Sequence, residues 1–176
     1  NKANPFDQTN KAVCLGMKVL NGSSWIADDL SDIRVLDGIQ HWIEESDLLV
    51  AFNAKFDLHW LRNIGISFEG KRIWDCQLAE FLLNNQKTPY PSLDQAAEKY
   101  GFDKKLDIVK LEYWDKGIDT DEIPREILTN YCSQDLLLTE QVFLKQKEQF
   151  ENEAKDKYAL FKLQCLDLIV LEEMEY

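Results

Sequence analysis

The sequence predicts an α/β domain with a mixed β-sheet, and three observations support this class. An Asn21-Gly22 turn signal separates two short strand-like runs. Five consecutive apolar residues at 48–52 then lead directly into a helical pattern, as expected of a central strand covered on both faces. Amphipathic helical patterns fill most of the remaining chain, so helices are expected to flank the sheet.

The first elements are a hairpin and a helix. Residues 12–20 and 23–27 are the predicted strands on either side of the turn. Apolar residues then recur at helical spacing over roughly 32–46, and Ser31 or Asp32 is a suitable N-cap.

After the apolar strand, the pattern alternates between strand and helix. A helix is expected over about 54–64, with Gly65 ending it. Residues 73–74 indicate a short strand, and two further helices are expected at 76–85 and 92–100.

The last part of the chain is predicted to be mostly helical. Residues 101–123 are irregular and charged, and the lysines there at 104, 105 and 110 are expected at the surface. Pro124 suits the first turn of a long helix that runs to about residue 149. A second helical stretch, dense in Leu and Ile, follows at 157–176.

Composition limits the classes of function. The 176 residues are enough for one core, and their formal net charge is −12. This charge argues against a module that holds duplex DNA by neutralising phosphates, but it is compatible with a site of carboxylates and divalent metal. No apolar run reaches the length of a membrane span, so we expect a soluble, cytoplasmic protein without a membrane partner. The cysteines lie far apart and lack zinc-ligand spacing, so we expect reduced thiols at 14, 76, 132 and 165.

The first candidate site residue is Asp57. It opens the helix that follows the apolar strand, at the strand end where open α/β sheets bind ligands. Leu61 and Ile64 share its helical face, so the carboxylate heads an apolar stripe and needs a hydrogen bond, an ion pair or a cation. A first-turn Asp favoured by the helix dipole is the alternative interpretation.

The second candidate pair is Tyr131 and Asp135 on the long helix. They are four residues apart, so the phenol and the carboxylate share one face. Leu138 and Val142 continue that face as apolar. By itself this pattern favours a buried tyrosine hydrogen-bonded to an aspartate.

Together the two patterns resemble a known family. The first pattern is N-x-x-F-D-x-x-x-L after a central strand, and the second is Y-x-x-x-D on a helix, with Tyr131 74 residues after Asp57. This combination is similar to the tyrosine variant of the DEDD-type 3′–5′ exonucleases in family A DNA polymerases. Residues 75–78 and 92–100 also resemble segments of that family. The resemblance implies a ribonuclease H-like mixed β-sheet flanked by helices, and a phage or bacterial source.

The resemblance also implies a domain organisation. It covers about residues 4–150, so residues 1–150 are expected to form the exonuclease domain and residues 151–176 the helical start of a polymerase region. Both ends are expected to be truncated. The implied partners are a single-stranded DNA 3′ end and the polymerase domain of the same parent chain, in a monomer.

The resemblance assigns roles to residues. Two divalent cations, Mg²⁺ or Mn²⁺, would flank the scissile phosphate, with Asp135 and Asp57 among their ligands. Tyr131 would orient the attacking water or contact the phosphate. Asn53 and Phe56 occupy positions that touch the frayed single strand, although Phe56 is equally suited to the core.

Lys99 matches a basic position of the family and would meet a phosphate, with a solvated surface lysine as the alternative. One family motif has no counterpart here. An Asp-x-Glu on the opening strand supplies two of the family's four metal-binding carboxylates, and Asp7, which lacks a Glu two residues on, is a poor substitute. The opening strand is therefore expected to be missing, and the chain to be weak or inactive alone.

Two other functions remain open from the sequence. A ribonuclease D-like enzyme that trims RNA shares the tyrosine motif. A catalytically dead exonuclease fold that binds or braces a polymerase would be a scaffold rather than an enzyme.

Overall fold

The computed structural model describes residues 4–7, 9–103 and 108–176. The lysines predicted at the surface at positions 104 and 105 lie outside this part, whereas Lys110 is exposed as expected. The strands are β1 (Leu15–Lys18), β2 (Ser24–Ala27), β3 (Leu48–Ala51) and β4 (Arg72–Asp75). The α-helices are α1 (Ile33–Glu45), α2 (Ala54–Asn63), α3 (Cys76–Leu83), α4 (Leu93–Lys99), α5 (Ile108–Glu112), α6 (Arg125–Asn152) and α7 (Lys155–Glu175).

The strands form a hairpin and a parallel pair. β1 pairs with β2 antiparallel, with Leu15 opposite Ala27, and the turn places Asn21 at a φ of 55°. β3 pairs with β4 in parallel, and α2 makes the crossover between them. The structure thus confirms an α/β fold with mixed pairing and flanking helices.

The predicted single sheet differs from the structure in one respect. Within the described residues, the hairpin and the parallel pair are separate two-stranded sheets, and both pack against α6. β3 was predicted as a central strand covered on both faces; both of its faces do pack against core clusters, but among the described strands it pairs with β4 alone, so it is not central. The two sheets stay separate because no described strand hydrogen-bonds to both the hairpin and the parallel pair.

Helix ends follow local signals closely. The Asp32 side chain caps α1 by accepting from the Arg34 amide, and Gly65, at a φ of 79°, follows the end of α2. Ser92 and Gln95 form a reciprocal capping box at the start of α4.

Residues 101–123, predicted as irregular, contain α5 and two single 3₁₀ turns, Trp114–Lys116 and Thr120–Glu122. The buried side chain of Val109 packs with Ile123 and Leu128, so tertiary contacts stabilise this segment. In the described ranges no helix is both long enough and apolar enough to cross a membrane.

The core has its aromatic centre at Trp74. This indole packs edge-on against three phenylalanine rings of α6 and α7, with centroids at 5.0 Å (Phe143), 5.7 Å (Phe150) and 4.6 Å (Phe161). A second apolar cluster lies between the hairpin, α1 and α2, around the buried side chain of Ile39. The parallel pair therefore has its two faces covered by different helices.

α7 packs on this core along one side and exposes apolar residues along the other. Phe161, Cys165 and Glu172 are buried, and Arg62 of α2 donates two hydrogen bonds to Glu172, at 2.9 and 2.6 Å. Four apolar side chains of this helix are more than half exposed: Leu163, Leu166, Val170 and Met174. The assignment of residues 151–176 to the start of a polymerase region stays a prediction.

Candidate active site

The backbone before Asp57 makes an unusual turn from strand into helix. Asn53, between β3 and α2, has left-handed φ and ψ angles of 66° and 54°, which Asn tolerates better than other residues with a Cβ. Its amide and that of Ala54 both donate to the carboxylate of Asp75, at 3.2 and 3.0 Å. The first turn of α2, which carries Asp57, is thereby held against the end of β4.

The Asp75 carboxylate fixes the starts of both α2 and α3 relative to the end of β4. It also accepts hydrogen bonds from the amides of Gln77 (2.8 Å) and Leu78 (3.2 Å), as the N-cap of α3. One buried carboxylate thus satisfies amides at the start of two helices, α2 and α3. Burial raises the pKa of Asp75, although these four amides act in the opposite direction.

Asp57 lies near two other carboxylates, those of Asp75 and Asp135. Desolvation by the surrounding protein, followed by repulsion from Asp75 and Asp135, raises the pKa of Asp57 to about 7. The residue is nevertheless exposed to solvent. The Asp57 carboxylate is therefore accessible to a cation or a ligand from solution.

Asp135, on α6, lies near Asp57, and Tyr131 lies one helical turn before Asp135 on the same helix. Both are half-buried, and the charge of Asp135 acts on Asp57 across the elements. The Tyr131 ring meets the Trp114 ring edge-on at 5.7 Å, and it packs against the cluster around Val109. The structure therefore brings together the aspartates of both sequence motifs, with the tyrosine one helical turn away.

Asn53 and Phe56 face solvent beside Asp57. The Asn53 side chain is exposed and makes no helix-capping hydrogen bond. Phe56 is 37% exposed, with its ring edge-on to Trp60 at 6.3 Å, so it is not a core residue. Both side chains are accessible to a ligand, and their contact with DNA stays a prediction.

Lys99 takes part in a different cluster. Its ammonium group donates to the buried carboxylate of Glu80 at 2.6 Å, and that carboxylate also accepts from Tyr100 (2.9 Å) and Gln146 (3.3 Å). Gln146 is 11 residues from Asp135 on α6, which is about 16 Å along the helix. Lys99 thus has a structural partner away from the aspartates, and its contact with a phosphate stays a prediction.

The carboxylates at this site are of the right chemical type to bind a divalent cation, but too few of them lie among the described residues. Carboxylate oxygens are the ligands that Mg²⁺ and Mn²⁺ prefer, and a cation would relieve the repulsion at Asp57. Across residues 4–7, 9–103 and 108–176, however, no three His, Cys, Asp or Glu side chains have an arrangement that could hold a metal. The Asp7 carboxylate accepts hydrogen bonds within its own loop, from the amide and hydroxyl of Thr9 at 3.0 and 2.7 Å.

The role of Asp75 was not predicted from the sequence. Its position just before α3 is a recognisable N-cap signal. Its second role, at the start of α2, depends on the parallel pairing of β3 with β4, in which Ala51 lies opposite Asp75.

Comparison with known proteins identifies the family. No curated protein and no solved structure matches the chain. A family model described as 3′–5′ exonuclease matches residues 6–151, a range that contains Asp57, Tyr131 and Asp135. The chain therefore belongs to the 3′–5′ exonuclease family.

Proposed function

We propose that this nuclease is the proofreading domain of a family A DNA polymerase and removes nucleotides from single-stranded or frayed DNA 3′ ends. The observation that carries this proposal is that the two motif aspartates, Asp57 of α2 and Asp135 of α6, lie close enough for their charges to repel each other, with Asp57 exposed to solvent. Carboxylates that repel each other at a solvent-accessible position are suited to bind divalent cations.

Two divalent cations, Mg²⁺ or Mn²⁺, are the proposed cofactors, with Asp57 and Asp135 among their ligands. Bound metal would activate water and stabilise the charge that develops on the leaving 3′ oxygen. The chain's own residues would hold and orient the reactants. Tyr131, half-buried against Trp114, would position the attacking water or a phosphate oxygen through its hydroxyl.

The exposed side chains of Asn53 and Phe56 would contact the terminal nucleotides. An aromatic ring can stack on any base, so the enzyme would act on DNA ends of any base sequence. Selectivity for mismatches would then come from the lower cost of melting a mispaired end. Lys99 is the weakest of the proposed DNA contacts, because it already neutralises Glu80.

The metal site would be completed by an Asp-x-Glu strand. Within the described part of the chain, the hairpin and the parallel pair are separate two-stranded sheets, so each strand there has one edge without a described strand partner. A strand joining these edges would produce one mixed sheet and bring two more carboxylates close to Asp57 and Asp135. On this proposal the 176-residue chain is weak or inactive by itself.

The decisive experiment compares this chain with a version extended upstream in its parent sequence by about 15 residues, enough for one strand and its connection. The substrate is 5′-labelled single-stranded DNA with Mg²⁺ or Mn²⁺. We expect stepwise shortening from the 3′ end by the extended version alone. Asp57→Asn should abolish it, whereas Asp37→Asn, at an exposed position of α1, should not.

Other outcomes would overturn parts of the proposal. Full activity of the 176-residue chain would show that no further strand is needed. Faster shortening of a matched RNA strand would favour the ribonuclease D-like alternative. Inactivity of both versions, with folded protein by circular dichroism, would favour the scaffold alternative. A polymerase partner in the same chain, a monomeric state and a bacterial or phage-infected cytoplasm complete the proposal.

A further inference from the structure

The four cysteines form two neighbouring pairs in different surroundings. Cys14 and Cys132 are half-buried, and the Cys132 thiol donates a hydrogen bond to Cys14. Cys76 and Cys165 are buried neighbours in the core. All four are free thiols.

The backbone explains why Cys14 faces Cys132. A Cβ atom at Gly16 would lie 2.5 Å from the sulfur of Cys132, so the missing side chain lets β1 approach α6 closely. Cys14 precedes Gly16 by two residues, and alternate residues of an extended chain point to the same side. The close approach at Gly16 therefore directs the Cys14 thiol towards α6.

The two pairs should differ in reactivity. The thiolate is the reactive form of cysteine, and it requires both access and a favourable environment. Cys14 and Cys132 are only half-buried, whereas Cys76 and Cys165 are buried in the core, so peroxide has better access to the first pair. The side-chain hydrogen bond within the first pair lowers the pKa of Cys14 and raises that of Cys132, and burial raises the pKa values of Cys76 and Cys165. We therefore assign Cys14 as the attacking thiol and Cys132 as the thiol that resolves the intermediate.

We propose that Cys14 and Cys132 are a reversible oxidation site, which forms an intramolecular disulfide with hydrogen peroxide while Cys76 and Cys165 stay reduced. The Cys14 thiolate attacks the peroxide O–O bond, giving a sulfenic acid and releasing hydroxide, which takes up a proton as water. The Cys132 sulfur then attacks the Cys14 sulfur and displaces a second water. The two thiols together lose two protons and two electrons, which reduce one peroxide to two waters.

The bridge would lie beside the candidate active site. Cys132 is next to Tyr131 in the chain, and the charges of both Asp135 and Asp57 act on its thiol. A disulfide would fix β1 to this part of α6 and slow the exonuclease. This last consequence rests on the proposed function, but the oxidation site does not.

The test oxidises the 176-residue chain with hydrogen peroxide, alkylates it and maps its peptides without reduction. We expect a peptide pair joined through Cys14 and Cys132, which dithiothreitol separates. Cys132→Ser should instead leave a sulfenic acid at Cys14 that reacts with dimedone. The matched control Cys165→Ser, from the buried pair, should leave the mapped bridge unchanged.

Three results would overturn the oxidation site: no bridge, a bridge between chains only, or a bridge formed equally by Cys76 and Cys165. In the reduced protein, Cys14 should also react with iodoacetamide at least about tenfold faster than Cys165.

Activity of the upstream-extended version, with and without peroxide, tests the consequence separately. Peroxide should lower the rate and dithiothreitol restore it, while Cys132→Ser should be insensitive. Full activity of the bridged protein would overturn regulation. An inactive reduced protein would count against the proposed function and leave the mapped bridge standing.

Discussion

The carboxylate of Asp75 accepts a hydrogen bond from the backbone amide of Ala54 at 3.0 Å, and this contact joins the end of β4 to the first turn of α2. Asp57 lies three residues further along that turn. The position of the candidate metal ligand therefore depends on a carboxylate that need not touch a metal itself.

Asp75→Ala should destabilise the fold severely. It removes the acceptor of four amides at a buried position, and leaving buried donors unpaired costs about 3 kcal/mol or more in total. Urea unfolding monitored by tryptophan fluorescence measures this change. The exposed Asp37→Ala provides the matched control and should differ from the parent by less than about 0.5 kcal/mol. Equal midpoints for the two variants would contradict this role of Asp75.

Asp57→Asn should stabilise the fold at pH 8 and have little effect at pH 4. The folded pKa of Asp57, about 7, lies above its ordinary value of 3.8. The folded state therefore binds more protons, and the stability that Asp57 contributes is present below about pH 4 and lost as the pH rises to 7. Asn removes the repelled charge. Solvent screens this exposed group, so we expect a gain of only about 1 kcal/mol at pH 8.

Thermal unfolding of both proteins from pH 4 to pH 8, without metal, tests this expectation. The difference between the proteins isolates Asp57 from the titration of other carboxylates. A difference that grows towards acid pH would contradict the assigned direction of the pKa shift.

Gly16→Ala and Gly38→Ala should have opposite effects. At position 16 the new Cβ would lie 2.5 Å from the Cys132 sulfur and 2.9 Å from Leu136, and overpacking of this kind costs about 2 kcal/mol. At position 38, inside α1, the nearest atom would be 3.4 Å away on Trp25, and alanine favours a helix by about 1 kcal/mol over glycine. Chemical denaturation of both variants measures the contrast. Combining Gly16→Ala with Cys132→Ala should recover part of the loss, and strict additivity would exclude the inferred contact.

Glu172→Ala should loosen α7, whereas Glu173→Ala should not. The Glu172 side chain is fully buried and accepts two hydrogen bonds from Arg62. Arg62 is about a third exposed and can be solvated by water after the change, so the lost hydrogen bonds and packing should cost about 1–2 kcal/mol. Its neighbour Glu173 is exposed and serves as the matched control. Hydrogen exchange at α7 amides should rise in the first variant alone, and unchanged protection in both would contradict the role of this ion pair.

Asp135→Asn should lower kcat of the upstream-extended version more than Tyr131→Phe does. Loss of a metal ligand should cost about 100-fold or more. Loss of a hydroxyl that only orients water should cost about tenfold. Single-turnover shortening of labelled DNA measures both, with circular dichroism to confirm folding. If Tyr131→Phe were the worse variant, the assigned chemistry would be wrong.

The elements with local signals were predictable from the sequence. Asp32 and Gly65 mark the ends of helices whose apolar periodicity is strong, and Asn21-Gly22 marks the hairpin. By contrast, α5 is five residues long and buries only Val109, against side chains distant in the sequence. Periodicity cannot reveal an element that depends on such contacts. The separation of the two sheets is non-local for the same reason.

The motif residues of the candidate site could be predicted from the sequence, but the hydrogen-bond partners that hold the surrounding elements in place could not. Asp57 and Asp135 carried recognisable patterns, and the structure places their charges within reach of each other. The amides that Asp75 binds converge only after β3 and β4 pair, and Lys99 meets Glu80 only after α3 and α4 pack. These contacts form between segments that are distant in the sequence, so a pattern within one segment cannot predict them.

The exposed apolar side of α7 has a consequence for the colloidal behaviour of the chain. Leu163, Leu166, Val170 and Met174 are each more than half exposed at helical spacing. With a net charge of −12, mutual repulsion keeps such surfaces on different molecules apart. Near the sequence pI of about 4.6 this repulsion vanishes, and concentrated salt screens it at any pH. Light scattering should then show the chains attracting one another, first through these uncovered leucines.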